Sequence, residues 1–285
     1  MSSHTTAKTQ VIDSHHHLWR YSPTEYGWID DSMSTLRRDF LPQDLVTELI
    51  QANIDGAIAV QARQALEETH WLLGLGETCP QIRGVVGWAP LASPDFERTL
   101  PQLAAQPKLV GLRHVIQAEP DGFLDASDFN RGIASLRGTN LTYDILIFER
   151  QLQEAIRFVD RHPQQQFVLD HIAKPKIAAS ELEPWRTRIR ELSKRGNVAC
   201  KISGMVTEAS WATWSLDSLR PYLDTVVESF GPDRLLAGSD WPVCLVATTY
   251  TRWWQTLNDY FSNFSATDRA KIFGANAIRI YNLKP

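Results

Sequence analysis

Short apolar runs alternate with longer stretches of helical period along nearly the whole chain. The runs begin with Val11-Ile12 and continue through IDGAIAVQA (54–62), IRGVVGWAPL (82–91), LVGLRHVI (109–116), LTYDILIF (141–148), QFVLDHI (166–172), NVACKISG (197–204) and RLLAGSDWP (234–242). Their β-branched content and bounded length predict eight buried strands. Between them lie LPQDLVTELIQAN, HWLLGLGETC, FERTLPQLAAQ, DFNRGIASLRG, RQLQEAIRFVDRHP, EPWRTRIRELSKRG and SLRPYLDTVVESFGPD, each with the spacing of an amphipathic helix. Pro42 in a first turn and Gly196 and Gly231 after last turns supply the expected punctuation. Strand and helix alternating in this way predict an α/β protein, a (β/α)₈ barrel, with a doubly wound open sheet as the alternative. No Pro/Ser/Gly-rich linker divides the chain, so 1–285 reads as one domain preceded by a flexible extension over 1–10. Two insertions break the rhythm, 19–40 and 117–127. Both follow strand C-termini, the face on which barrels build active sites.

Composition narrows the partners. Lys plus Arg number 29 and Asp plus Glu 33, a net charge of −4 with no long run of either sign, so nucleic acid and anionic membrane surfaces are not expected. No window approaches the roughly 18 apolar residues of a spanning helix, and MSSHTTAKTQ lacks the apolar segment of a signal peptide. Three cysteines, at 79, 200 and 244, form no CxxC pair and suggest a reducing, cytoplasmic compartment. A small-molecule substrate is the remaining expectation.

The ends of the eight runs carry the polar residues. They are Asp13, His15 and His17 on the first, Arg113 and His114 on the fourth, Asp144 on the fifth, Asp170 and His171 on the sixth, Lys201 and Ser203 on the seventh, and Ser239 and Asp240 on the eighth. Strand alternation sends His15 and His17 to one side and His16 to the other. With His171 and Asp240 they make an N₃O donor set suited to Zn²⁺ or a similar divalent ion. Asp240, in GSDWP, can orient or deprotonate a water, or can cap a helix. Arg113 and Lys201 can each hold a substrate oxygen or join an ion pair inside the barrel. Asp13 is either a partner of a ligand imidazole or a strand-end turn residue.

The runs VIDSHHHLW (11–19), VLDHIAKP (168–175), LLAGSDWP (235–242) and AKIFGANAIRIYNL (270–283) together resemble the amidohydrolase superfamily, of the amidohydrolase 2 type. They are most similar to its branch containing L-fuconolactonase, L-rhamnono-lactonase, sulfomuconolactone hydrolase and pyrone-dicarboxylate lactonase. The resemblance implies a distorted (β/α)₈ barrel and hydrolysis of a lactone. It carries His15 and His17 onto the first-strand HxH, His171 onto the sixth-strand His and Asp240 onto the eighth-strand Asp, holding one divalent ion, zinc before others. Without a histidine on the fifth strand or a lysine ending the fourth, a two-metal centre does not fit, and some lactonases of the branch use no metal. The implied reaction is water attack on a sugar-acid lactone such as L-fucono- or L-rhamnono-lactone, with Asp240 as general base and His171 and Arg113 supporting the developing oxyanion. Trp28 and Trp241, with Trp19, Tyr21 and Tyr26, offer faces to a sugar ring, and His114, Asp144 and Lys201 offer contacts to its hydroxyls. The alternative within the superfamily is a zinc-dependent decarboxylase of an aromatic or unsaturated acid.

Overall fold

The eight apolar runs all become strands, each shorter than its run. In the computed structural model, which describes residues 10–284, they are β1 (Ile12–His16), β2 (Gly56–Val60), β3 (Ile82–Gly87), β4 (Leu109–His114), β5 (Thr142–Ile145), β6 (Phe167–Leu169), β7 (Val198–Ile202) and β8 (Leu235–Ala237). Residues 1–9, most of the expected extension, lie outside the described residues. Neighbouring strands pair in parallel in sequence order. A bridge between His16 and Trp241 joins the last strand's end to the first, where His17 N donates to Trp241 O at 2.6 Å and Asp240 N to His15 O at 2.8 Å. The sheet is thereby a nearly closed (β/α)₈ barrel, as expected.

Alternation divides the strand side chains between two apolar layers. Ile12, Ile58, Val60, Val86, Val110, Val168, Ala199 and Leu236 fill the lower barrel together with Ala277, Tyr281 and Leu283. Val198, Cys200 and Ile202, the other parity of β7, belong to the larger layer between sheet and helices. Inward positions nearer the strand C-termini are therefore free to be polar, and there Arg113, Asp144 and Lys201 stand, all buried.

All seven helical patterns are present, as α1 (Pro42–Ala52), α2 (Leu66–Thr78), α3 (Phe96–Ala104), α4 (Ser127–Ser135), α5 (Leu152–Arg161), α6 (Trp185–Leu192) and α7 (Leu216–Phe230). The structure adds α8 (Tyr250–Tyr260), whose N-terminus is capped by the Thr249 hydroxyl, and the short α9 (Ala266–Ala270) and α10 (Asn276–Ile280). A π turn at Lys271–Ala275 joins the last two and presses Gly274 onto the backbone entering β1.

Two strands stop early at the positions that matter chemically. After β6, His171, Ile172, Ala173 and Lys174 have φ of 51, 49, 62 and 47°, and after β8 Asp240 has φ 58°. Left-handed backbone is unfavourable for non-glycine residues and is found where surrounding structure imposes it, often at functional sites.

Candidate active site

His15 and His17 meet as strand alternation requires, with Nε2 atoms 3.2 Å apart. The Nδ1 atom of His17 lies 2.8 Å from Val60 O at the end of β2, and that of His171 lies 2.9 Å from Ser203 Oγ beyond β7. His15 Nδ1 has Asp170 Oδ1 at 3.4 Å as an available acceptor and Lys201 Nζ at 3.2 Å. Each ring is thus anchored on its Nδ1 side and turns Nε2 toward a common centre, the way outer partners orient ligand imidazoles.

Asp240 completes that centre. Its Oδ1 lies 3.3 Å from His17 Nε2, 3.7 Å from His15 Nε2 and 3.8 Å from His171 Nε2. A tetrahedral ion with bonds of about 2.0–2.1 Å sets its donors about 3.4 Å apart, close to the three edges from Asp240, although His17 stands outside the group of His15, His171 and Asp240 whose donors all come together. His15, His171 and Asp240 all offer donor atoms within 4.8 Å of one another. Burial holds His15 well below the ordinary imidazole value and brings His171 down to about 4, so both rings are neutral near pH 7, the form that ligates metal. Burial alone would raise Asp240, but the imidazoles of His171, His17 and His15 hold it well below the usual carboxylate range. It caps no helix; it is an anion aimed into the mouth of the barrel.

Beneath this centre runs a closed polar network. Asp170 Oδ2 accepts from Arg113 Nη1 at 2.9 Å, and its Oδ1 lies 3.0 Å from Lys201 Nζ. Lys201 also donates to Asp144 Oδ2 at 2.6 Å, which accepts from Tyr281 OH at 2.7 Å. Arg113 Nη1 is 3.3 Å from His15 Nε2, and its Nη2 is bound to Gln61 O.

This geometry revises several expectations. Asp144 and Lys201, expected to face substrate hydroxyls, are fully buried and occupied by each other, Asp170 and Tyr281. Arg113 takes the ion-pair alternative, because its Nη atoms are committed to Asp170 and Gln61. His114 points away from Arg113, as adjacent strand residues must. It binds Glu119 at 2.8 Å, accepts from Trp88 Nε1 at 3.2 Å and stacks on Phe123 of the 117–127 insertion. Trp241 is buried edge-on to Phe40, whereas Trp28 is 43% exposed and meets Trp19 edge-on. Among the described residues Asp13 bonds no imidazole; it takes Ser239 N and Oγ, His15 N and Tyr250 OH, and so ties β1 to the turn after β8. The imidazole partners are instead Val60 O, Ser203 and Asp170.

Comparison with known proteins agrees with this architecture. The amidohydrolase family profile matches residues 12–283. The chain belongs to the amidohydrolase family. It is 41% identical to an L-fucono-1,5-lactonase of Burkholderia multivorans over 95% of this chain and 96% of that one. It is 33% identical to an L-fucono-1,5-lactonase of Burkholderia ambifaria over 95% of each. A crystal structure of an amidohydrolase from Burkholderia multivorans with bound zinc superposes with a TM-score of 0.93 at 40% identity, covering 96% of this chain and all of that one.

Proposed function

We propose that this amidohydrolase opens a sugar-acid lactone, L-fucono-1,5-lactone or a close relative, with Asp240 as the general base. Family membership and likeness over nearly the full length make the chain a lactonase, a hydrolase of cyclic esters. The finer reading rests on one observation, an ionised carboxylate at the barrel mouth within 3.3–3.8 Å of three imidazole nitrogens.

In this reading water approaches the lactone carbonyl from the side of Asp240. The carboxylate takes a proton from it as the C–O bond forms, an assistance worth roughly 10²–10⁴-fold in rate. The carboxylic acid then returns that proton to the departing ring oxygen, giving an open hydroxy acid. His171 is fixed by Ser203 at the edge of the developing charge. Arg113 acts through His15 and Asp170, whose orientation it holds. His15, His17, His171 and Asp240 would hold a divalent ion, which supplies Lewis-acid polarisation of the carbonyl and a more acidic water when bound. Trp28, the exposed indole of the 19–40 insertion, offers a face to the sugar ring.

A proton-release assay at near-neutral pH over sugar γ- and δ-lactones tests the proposal. Turnover of L-fucono-1,5-lactone or another deoxy-sugar lactone is expected. Silence across the panel, with carbon dioxide released from an aromatic acid, would transfer the site to the decarboxylase reaction.

A further inference from the structure

Lys174 and Glu208 stand at the mouth and have no part in the chemistry above. Lys174 ends the left-handed run that begins at His171, and its Nζ lies 5.6 Å over the Phe148 ring. Glu208 belongs to the loop after β7. That loop starts at Gly204, φ +63°, whose Cα is so close to His171 that an added Cβ would lie 2.5 Å from Nδ1. Glu208 O accepts from Ala178 N at 2.9 Å, which ties the two turns together.

Three properties mark the pair as a receptor for substrate. Its side chains are 17% and 24% exposed, against 4% and 5% for His171 and Asp240, so it lies on the solvent side of the reacting centre. It is also close enough to be felt there: after burial, Lys174 and Asp240 are the charges that most affect Glu208, and Lys174 acts on His171. Finally, Lys174 Nζ and Glu208 Oε1 are 3.7 Å apart, an ion-pair separation too long for a hydrogen bond. One strong donor and one strong acceptor therefore face the mouth side by side with no net charge. A hydroxyl, both donor and acceptor, matches that pair; a carboxylate or an ammonium would be repelled by one half of it.

Building on the sugar-lactone reading, we propose that Lys174 and Glu208 determine specificity by receiving one ring hydroxyl of the lactone, Glu208 accepting its proton and Lys174 donating to its oxygen. Sites that pair a substrate hydroxyl discriminate strongly against the analogue that lacks it, because their polar groups are then left unsatisfied.

The test uses Lys174→Met and Glu208→Gln, assayed on L-fucono-1,5-lactone and on unhydroxylated δ-valerolactone, with melting temperatures measured beside them. Either substitution is expected to lower kcat/KM for the sugar lactone about 10- to 100-fold, mostly through KM, the range of a charge-assisted hydrogen bond. Turnover of δ-valerolactone and the melting temperature should hold. A wild type that ignores δ-valerolactone shows the expected rejection of a bare ring, and the sugar-lactone loss at constant melting temperature then carries the result. Equal losses on both lactones with a lowered melting temperature would reduce the pair to a loop brace, and unchanged sugar-lactone kinetics would remove it from the site. Those two outcomes leave the lactonase reading standing; a wild type inactive on every sugar lactone would overturn both.

Discussion

Lys201 shows how far one residue type can be from its expected role. Fully buried, it neutralises Asp144 and Asp170 and sits 3.2 Å from His15 Nδ1. Lys201→Met leaves the buried Asp144 without its cation while Asp170 keeps Arg113, and breaking such a pair costs about 3–5 kcal/mol. A denaturant midpoint unchanged in that variant would contradict the network. By contrast Asp240→Asn keeps the shape of the side chain but removes an anion that its surroundings hold in the charged form, so the variant should fold with part of that stability lost. His15 and His17 were legible because period two alone puts both rings on one side. His114 was not, since adjacency to Arg113 on a strand means that only one of them can face inward. Lys174 and Glu208 were missed because their placement comes from a run of left-handed backbone that no hydrophobic pattern announces; the only trace was Lys174 inside VLDHIAKP.

Turns rather than strands set the positions of the chemistry. β6 and β8 end at Leu169 and Ala237, so His171 and Asp240 owe their direction to the bends that follow, and extending the strands through 172 and 242 overshot them. Gly204 is required where the loop after β7 passes His171, by its φ of +63° and by the 2.5 Å approach an added Cβ would make. Gly204→Ala should therefore displace the imidazole and lower kcat at least about 10-fold, because small misplacements at a reacting centre are costly; normal kcat would show that the ring position is not controlled there. Gly274 answers a different need. A Cβ there would lie 1.8 Å from Gln10 O, so Gly274→Ala should destabilise the fold by about 1–3 kcal/mol while kcat of the folded enzyme holds. Thermal melts and assays of the same preparation separate the two effects. The helix α8 escaped the sequence reading, although Thr249 caps it and its buried aromatics, Tyr250, Trp253 and Trp254, pack inward.

Across the whole molecule the pattern of eight apolar runs sufficed for the barrel, because parallel strands buried on both faces must be continuously apolar. No helix among the described residues is long and apolar enough to cross a membrane. A metal held by His15, His17, His171 and Asp240, as proposed, would link the site to global stability. A ligand that binds only the folded state adds about 4 kcal/mol at a thousandfold excess over its Kd. Zinc added to chelator-treated protein should therefore raise the melting temperature by several degrees and restore turnover, whereas no shift would show that His15, His17, His171 and Asp240 do not act as a ligand set. The central claim is the role of Asp240. It is tested most directly by steady-state proton release from L-fucono-1,5-lactone, comparing wild type with Asp240→Asn at matched zinc content. The account predicts a fall in kcat of at least about 10³-fold in a variant that still melts as a folded protein. Near-normal turnover by that variant would take the base away from Asp240.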